Sequence, residues 1–482
     1  MLTIDPYLNK NVQSFVFLDV KYLKTENMTL ESGNLIKNLS NSIVTNSQID
    51  TTLFEKFSVK RGLRNSDHTG VLVGLTRIGD VVGYQKSDDG TLVAIDGKLL
   101  YRGIDVADLV KGAQKENRHG FDETIYLLLS GELPNTKELV DFSAYLAENR
   151  VLPENLKNSL LSLHGKNIMN ILARSVLVLY NFDDNSDDTS PNNLVLQALG
   201  LIAKFPTVIA YAYHNYNHHF KGRTMSIRHP NAKLSTAENL LYMLKGATKY
   251  TSLDTDVLDL ALVLHAEHGG GNNSTFTIRV TSSSGTDTYS SVSSAIASLK
   301  GPLHGGANLE VIQMMEHLKK EIKDWNDEDE IKNYLTQILN KEAYNRSGKI
   351  YGIGHAVYTI SDPRAILLKE KAEELAEEKG LSNEFGFYER LERLAIQTFM
   401  EFKGVKVNKT VCANVDFYSG FVYSMIGLPK EIYTPLFAMS RMAGWTAHRM
   451  EELNFKQRRI IRPAYKNILE PRQYLPLQNR EL

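Results

Sequence analysis

Beyond Gly103 the apolar residues of this chain recur at helical spacing with few interruptions. In Arg364–Lys379, Leu368, Ala372, Leu375 and Ala376 fall on one face, at i, i+4, i+7 and i+8. Glu373, Glu374, Glu377 and Glu378 lie largely on the other, and Gly380 follows as a stop. Phe387–Phe402 repeats the scheme after Ser382 and Asn383. Glu123–Leu129 follows Asp122 as an N-cap and halts at Gly131 and Pro134. Only 13 prolines are spread over 482 residues, which leaves room for long helices. The spacing predicts a mainly α protein.

One short stretch breaks that rule. Val71, Val73 and Leu75 alternate with other residues, and Val81 and Val82 follow. Leu92-Val93-Ala94 and Leu99-Leu100-Tyr101 flank the turn pairs Asp89-Gly90 and Asp96-Gly97, which predicts a small β meander over 71–103. Residues 1–60 are polar and weakly periodic and read as short helices and loops, an N-terminal extension. Asp183–Asn192 reads as an acidic, solvated loop. No repeat of 20–50 residues is visible, which argues against a solenoid.

Composition excludes several classes. Lys+Arg and Asp+Glu number 55 and 56, a net charge of −1, which disfavours an electrostatic nucleic-acid binder. The basic tail of Lys456, Arg458, Arg459, Arg462 and Lys466 lacks the aromatic interleaving of a nucleic-acid patch. The one cysteine, Cys412, excludes an internal disulfide framework and a cysteine zinc ribbon. The first twenty residues hold Lys10, no arginine, and both Asp5 and Asp19, which fits neither a secretory signal nor a transit peptide. Val176–Tyr180 and Val257–Leu264 are far shorter than the roughly 18 apolar residues of a membrane span. The expectation is a soluble, cytoplasmic protein with no membrane or nucleic-acid partner.

Four places interrupt the helices with glycine, histidine and charge. His265-Ala266-Glu267-His268, followed by three glycines, Asn272 and Ser274, closes an apolar helix. Cationic imidazoles suit a helix C-terminus; a metal would need a third ligand, and HExxH is absent. His214 and His218, at i, i+4, read as a wet helix face rather than a chelate. Gly301-Pro302-Leu303-His304-Gly305-Gly306-Ala307-Asn308 runs into the helix Leu309–Ile322. The positive end of the helix dipole favours a neutral imidazole there, able to donate to a carbonyl that becomes an enolate. Gly352-Ile353-Gly354-His355 precedes Asp362-Pro363-Arg364, whose proline starts a helix. Arg364 then needs an anion, either Asp362 or an organic carboxylate. In Asn414-Val415-Asp416-Phe417 a carboxylate sits among apolar neighbours, where burial makes a base and an N-cap is the plain alternative. Arg441 and Arg462 also stand among apolar residues, where arginine commonly has an anion to pair with.

Taken together these motifs resemble the citrate synthase family, from about Arg61 to Pro463. Arg61-Gly62-Leu63-Arg64-Asn65, Tyr101-Arg102-Gly103-Ile104-Asp105, Gly131-Glu132-Leu133-Pro134 and Ser235–Met243 belong to the likeness. The His304, His355 with Arg364, and Asp416 motifs are its strongest parts. The resemblance implies a two-domain helical fold, with a large domain of 1–305 plus 428–482 and a small domain of 306–427 that closes over the site. It implies an acyltransferase of the tricarboxylic acid cycle that condenses acetyl-CoA with oxaloacetate and hydrolyses citryl-CoA. Asp416 would take the methyl proton, His304 would hold the thioester oxygen, and His355 would polarise the ketone. His268, Arg364 and Arg441 would hold the carboxylates, Ser274 would lie nearby, and Arg462 would reach in from the partner subunit of a homodimer. Coenzyme A would come and go as the thioester substrate, with no resident cofactor and no metal.

One position departs from the family pattern. Where many relatives carry a basic residue toward the CoA phosphates, this chain has Thr359, and Lys349 is the candidate substitute. Three rival readings stand beside citrate synthase: 2-methylcitrate synthase acting on propionyl-CoA, a catalytically silent helical scaffold, and a metal hydrolase built on His265, Glu267 and His268. One methylene separates the two thioesters, a difference typically worth ~1–3 kcal/mol in a pocket.

Overall fold

A computed structural model describes residues 30–65, 69–404 and 410–480. The chain falls into two compact units, 1–72 and 73–482. The first contains the helices Leu30–Asn46 and Thr52–Lys56 and a short 3₁₀ turn, Arg61–Leu63, the helical pieces and loops expected there. Residues 1–29 lie outside the described residues.

The second unit is mainly helical, with one small antiparallel sheet ordered β1 (Gly79–Lys86), β2 (Leu92–Tyr101), β3 (Ile104–Asp105). The meander exists but begins later than expected. Residues 71–76 have no strand structure, and Val73 and Leu75 are exposed. Val71 N donates to the Leu63 carbonyl at 2.9 Å, and among the described residues no strand pairs with residues 72–76. Asp89-Gly90 makes the expected turn, with Gly90 at φ +83°. Asp96-Gly97 does not turn and lies inside β2. The reason for Gly97 is close approach: a side chain there would overlap the Ser361 carbonyl, and the Gly97 N–H donates to Ser361 Oγ at 3.1 Å. Gly83 serves the same purpose, since an added Cβ would lie 2.5 Å from the Val357 carbonyl oxygen. The hairpin therefore clasps the segment that carries His355.

This close approach gives the first prediction. Gly97→Ala forces the hairpin off the 357–361 segment and lowers stability by about 1–3 kcal/mol. Denaturant unfolding of the purified variant reads this as a lower midpoint. A wild-type midpoint would show that the contact does not hold the loop.

Eight of the described helices start on a side-chain cap. Asn135 and Thr251 form capping boxes with Glu138 and Asp254, and Asp362 caps the helix Pro363–Glu378. Gly380, at φ +69°, ends that last helix as expected. Asp122 is not an N-cap: the helix Phe121–Ser130 begins after Gly120, and Asp122 sits in its first turn. There it accepts a hydrogen bond from Thr236 Oγ1 at 2.8 Å. The helix after Ser382 starts at that residue and runs to Lys403.

Pro191–Lys221 is a 31-residue helix with Pro206 inside it. It is long and apolar enough to cross a membrane, but 72% of its apolar window is buried inside the protein, as in a core helix. His214 on this helix is buried against the Met243 carbonyl rather than wet, while His218 is exposed. The loop before it is not merely solvated either: Asp183 accepts from Tyr289 Oη and Gln197 Nε2, each at 2.8 Å. At the centre, the helix Tyr433–Leu453 buries Arg441, Trp445, His448 and Arg449 almost completely.

Candidate active site

Four helix ends converge on one cavity. The helix Ser252–His265 delivers His265 and His268 at and just beyond its C-terminus. Its final carbonyls would otherwise lack partners. Tyr101, the last residue of β2, donates its hydroxyl to the Val263 carbonyl at 2.9 Å and so fixes that end. His304 comes from the 301–306 turn before the helix Ala307–Glu321, three residues ahead of its first turn. Thr434 Oγ1 donates to the Gly305 carbonyl at 3.0 Å and ties this turn to the central helix. The His355 loop and the Asp416 segment are joined by backbone. Gly354 N donates to Cys412 O at 2.8 Å, Asn414 N to Gly352 O at 2.9 Å, and Asn414 Nδ2 to Gly354 O at 2.9 Å. His265, His268, His304, His355, Arg364, Asp416 and Arg441 all line the cavity.

The hydrogen bonds assign the imidazole protons. His355 Nδ1 receives Val357 N at 3.1 Å and Tyr358 N at 3.0 Å, so its proton lies on Nε2. The ring stacks on Tyr358 and meets His268 edge-on at 5.1 Å. His304 Nε2 receives Ser274 N at 3.3 Å, which leaves the proton on Nδ1. Ser274, itself buried, lies 3.0 Å from that nitrogen through Oγ and accepts from Trp445 Nε1 at 3.1 Å. Burial, with Arg441 nearby, lowers the His304 pKa to about 4, and burial holds His265 and His268 well below the ordinary imidazole value. These rings are therefore neutral donors near pH 7, not cations.

Asp416 is not a cap. Val415 holds the N-cap position, and the side-chain acceptor at the helix start is Asn414 Oδ1, 3.0 Å from Asp416 N. Burial raises the Asp416 carboxyl to about 6, against the pull of Arg364 and with a push from Asp362. A carboxylate so placed is a base near neutral pH.

The two lining arginines differ. Asp362 pairs with Arg364, at 3.0 Å from Nε and 2.7 Å from Nη2, as the plain reading has it, and Arg364 still lines the cavity. Arg441 has no exposed surface, and its Nε donates to the His265 carbonyl at 2.7 Å. Its Nη1 and Nη2 are buried with no hydrogen-bond partner, as is His268 Nε2. Burial lowers the Arg441 guanidinium to about 10. Unpartnered donors of this kind fit an anionic ligand with paired oxygens. Arg462 and Lys349 are exposed and do not line the cavity. Thr359 Oγ1 is buried without a partner.

Sequence reading missed the aromatic wall. Tyr423, Tyr433 and Phe437 line the cavity, with Arg441 above the Phe437 ring at 4.7 Å. Their periodicity is that of ordinary core residues. Trp445 behind Ser274 was missed for the same reason.

A family model described as citrate synthase, C-terminal domain, matches residues 67–464. The chain belongs to the citrate synthase family. A citrate synthase of Deinococcus radiodurans is 37% identical over 370 residues, 76% of this chain and 89% of that protein. A 2-methylcitrate synthase of Shewanella oneidensis is 34% identical over 391 residues, 80% of this chain and 94% of its own length. Among solved structures, the citrate synthase of Pyrobaculum aerophilum superposes with a TM-score of 0.69 at 30% identity, covering 85% of this chain and 94% of that one. The Thermoplasma acidophilum citrate synthase, solved with carboxymethyl coenzyme A and oxaloacetate, gives 0.70 at 28% identity, covering 88% of this chain and 99% of that one. As a citrate synthase family member, the chain is an enzyme of the acyltransferase type.

Proposed function

We propose that this enzyme condenses acetyl-CoA with oxaloacetate and hydrolyses the citryl thioester to citrate and CoA. The observation that carries the reading is the pairing, in one cavity, of a carboxylate raised to about 6 with a buried arginine whose Nη atoms have no partner. A carbon acid needs a base, and a dicarboxylate needs a fixed cation. Asp416 removes the methyl proton. Nδ1–H of His304 donates to the thioester oxygen as it gains charge, and Nε2–H of His355 donates to the ketone of oxaloacetate. His268, Arg364 and Arg441 hold the carboxylates, and Ser274 orients His304.

The cavity lies between the helices of 306–427, among them Ala307–Glu321 and Asp416–Met425, and the ends of Ser252–His265 and Tyr433–Leu453. That placement supports a small domain of 306–427 closing on 1–305 with 428–482, which excludes water until condensation is complete. Beyond Leu453 the described chain is irregular except for a short turn, and Tyr465, Tyr474 and Leu477 are highly exposed. Such apolar exposure supports a homodimer in which Arg462 completes the partner's site. Lys349 takes the CoA phosphates where Thr359 cannot. The location is cytoplasmic, the pathway is the tricarboxylic acid cycle, and CoA enters and leaves as thioester and product.

A relative named 2-methylcitrate synthase, nearly as similar as the citrate synthases, favours propionyl-CoA as the second reading. Release of free thiol by purified enzyme with oxaloacetate separates them. Acetyl-CoA is expected to give the higher kcat/KM, by roughly 10-fold or more for one methylene. A preference for propionyl-CoA would transfer the same catalytic residues to the 2-methylcitrate reaction. Turnover of neither thioester would overturn the assignment.

A further inference from the structure

Behind the cavity wall lies a second layer of charge. Glu267 is fully buried between the start of β1 and the helix Tyr433–Leu453. Two glycines make its slot. A methyl on Gly79 would lie 2.7 Å from Glu267 Cγ. One on Gly444 would overlap Glu267 Oε2 while standing 3.4 Å from Arg441 Cδ. The Glu267 carboxylate and the Arg441 side chain thus flank the same small gap.

The bonds of Glu267 run away from the cavity. Its Oε1 accepts from Gly269 N at 2.5 Å and from His448 Nε2 at 2.9 Å. His448 Nδ1 receives Arg279 Nε at 3.0 Å and Nη2 at 2.7 Å. A guanidinium only donates, so Nδ1 carries a lone pair and His448 is a neutral ring with its proton on Nε2. Arg279 is balanced in turn by Glu451 and Glu452. The charge of Glu267 is therefore not cancelled along this chain of bonds. Its Oε2 has no hydrogen-bond partner, and neither do Arg441 Nη1 and Nη2. Burial pushes the Glu267 carboxyl up, but His448, Arg441 and the Gly269 N–H outweigh it and leave it below its ordinary value.

Building on the dicarboxylate reading of the cavity, we infer that Glu267 is a positioning residue, the resident counter-anion of Arg441. It keeps the buried guanidinium charged while the site is empty. It also opposes part of the pull of Arg441 on an incoming dianion, because a fixed anion behind the clamp acts through a low-dielectric wall. Affinity for substrate and product is held down, so binding energy is not spent on a tight ground state that slows turnover.

Full-length Glu267→Gln tests this, since the amide oxygen still accepts from Gly269 and His448 while the charge is gone. Calorimetric titration with oxaloacetate alone is expected to show binding about fivefold tighter or more, together with lower KM and lower kcat. Unchanged or weaker binding by the folded variant overturns the inference, because a residue that only anchors the loop gives no tightening. If Glu267→Gln does not fold, His448→Gln carries the test. It keeps the Glu267 charge, so affinity should stay within about twofold of wild type. A loss of about tenfold or more in the folded variant assigns the network to loop anchoring and overturns the proposal. Failure of the wild-type protein to bind oxaloacetate at all would instead count against the substrate reading itself.

Discussion

Asp416→Asn lowers kcat by about 10²–10⁴-fold, the range typical of a general base, while oxaloacetate binding stays near the wild-type value. The fold tolerates this change because Asn414, not Asp416, supplies the side-chain acceptor at the helix start. The pH profile adds an independent check. The base form of Asp416 is the deprotonated one, and its carboxyl is raised to about 6. In wild type, kcat/KM should therefore fall as pH drops through about 6. His304 cannot produce that limb, since its pKa of about 4 keeps it neutral throughout this window. In Asp416→Asn the residual rate should lose the limb. Thiol-release rates measured from pH 5 to 8 at saturating oxaloacetate read both effects. A residual limb near 6 in the Asn variant would assign the base to another group.

The parts of the fold that were legible in the sequence are those whose signals are local. Asp362-Pro363 starts a helix and Gly380 ends it wherever that helix packs, and both boundaries appear in the structure. Asp96-Gly97 misled because a turn pair and a close-approach pair look alike in one dimension. The carbonyl that requires glycine there belongs to Ser361, 264 residues away. Val71–Leu75 misled because alternation becomes a strand only with a partner. Pro206 stands inside the 31-residue helix Pro191–Lys221, where burial offsets the lost backbone bond.

The site divides along the same line. His304, His355, Arg364 and Asp416 stood out because glycine, proline or a lone charge interrupts an apolar pattern at each. The structure brings all four to one cavity. Ser274 was legible only through the family resemblance; Trp445 and the chain from Glu267 through His448 to Arg279 act through hydrogen bonds between distant segments, and no periodicity records those. Glu267 did carry one signal, an acid between two histidines at a helix end. Its slot, made by Gly79 and Gly444, became visible only when β1 and the central helix were placed beside it.

The second large effect belongs to Arg441. Arg441→Lys raises the KM for oxaloacetate by roughly 10²–10³-fold, because two charge-assisted donors in a fixed fork become one mobile point charge. The unpartnered Nη1 and Nη2 make this the cleaner of the two arginine tests. Removing Arg364 strands the buried Asp362 carboxylate, so folding and binding fail together. Arg441→Lys instead keeps a cation opposite the buried Glu267, and the His265 carbonyl remains an acceptor that a lysine can still approach. Thermal unfolding with and without oxaloacetate separates affinity from stability. Ligand that binds only the folded state raises Tm in proportion to the logarithm of [L]/Kd. Wild type should show that rise at millimolar oxaloacetate, and Arg441→Lys should show little of it at a similar ligand-free Tm. An equal rise in both would mean that the substrate carboxylate is held elsewhere. It would also remove the reason for a counter-anion behind this arginine, so the Arg441 titration bears on the role of Glu267 as directly as on its own.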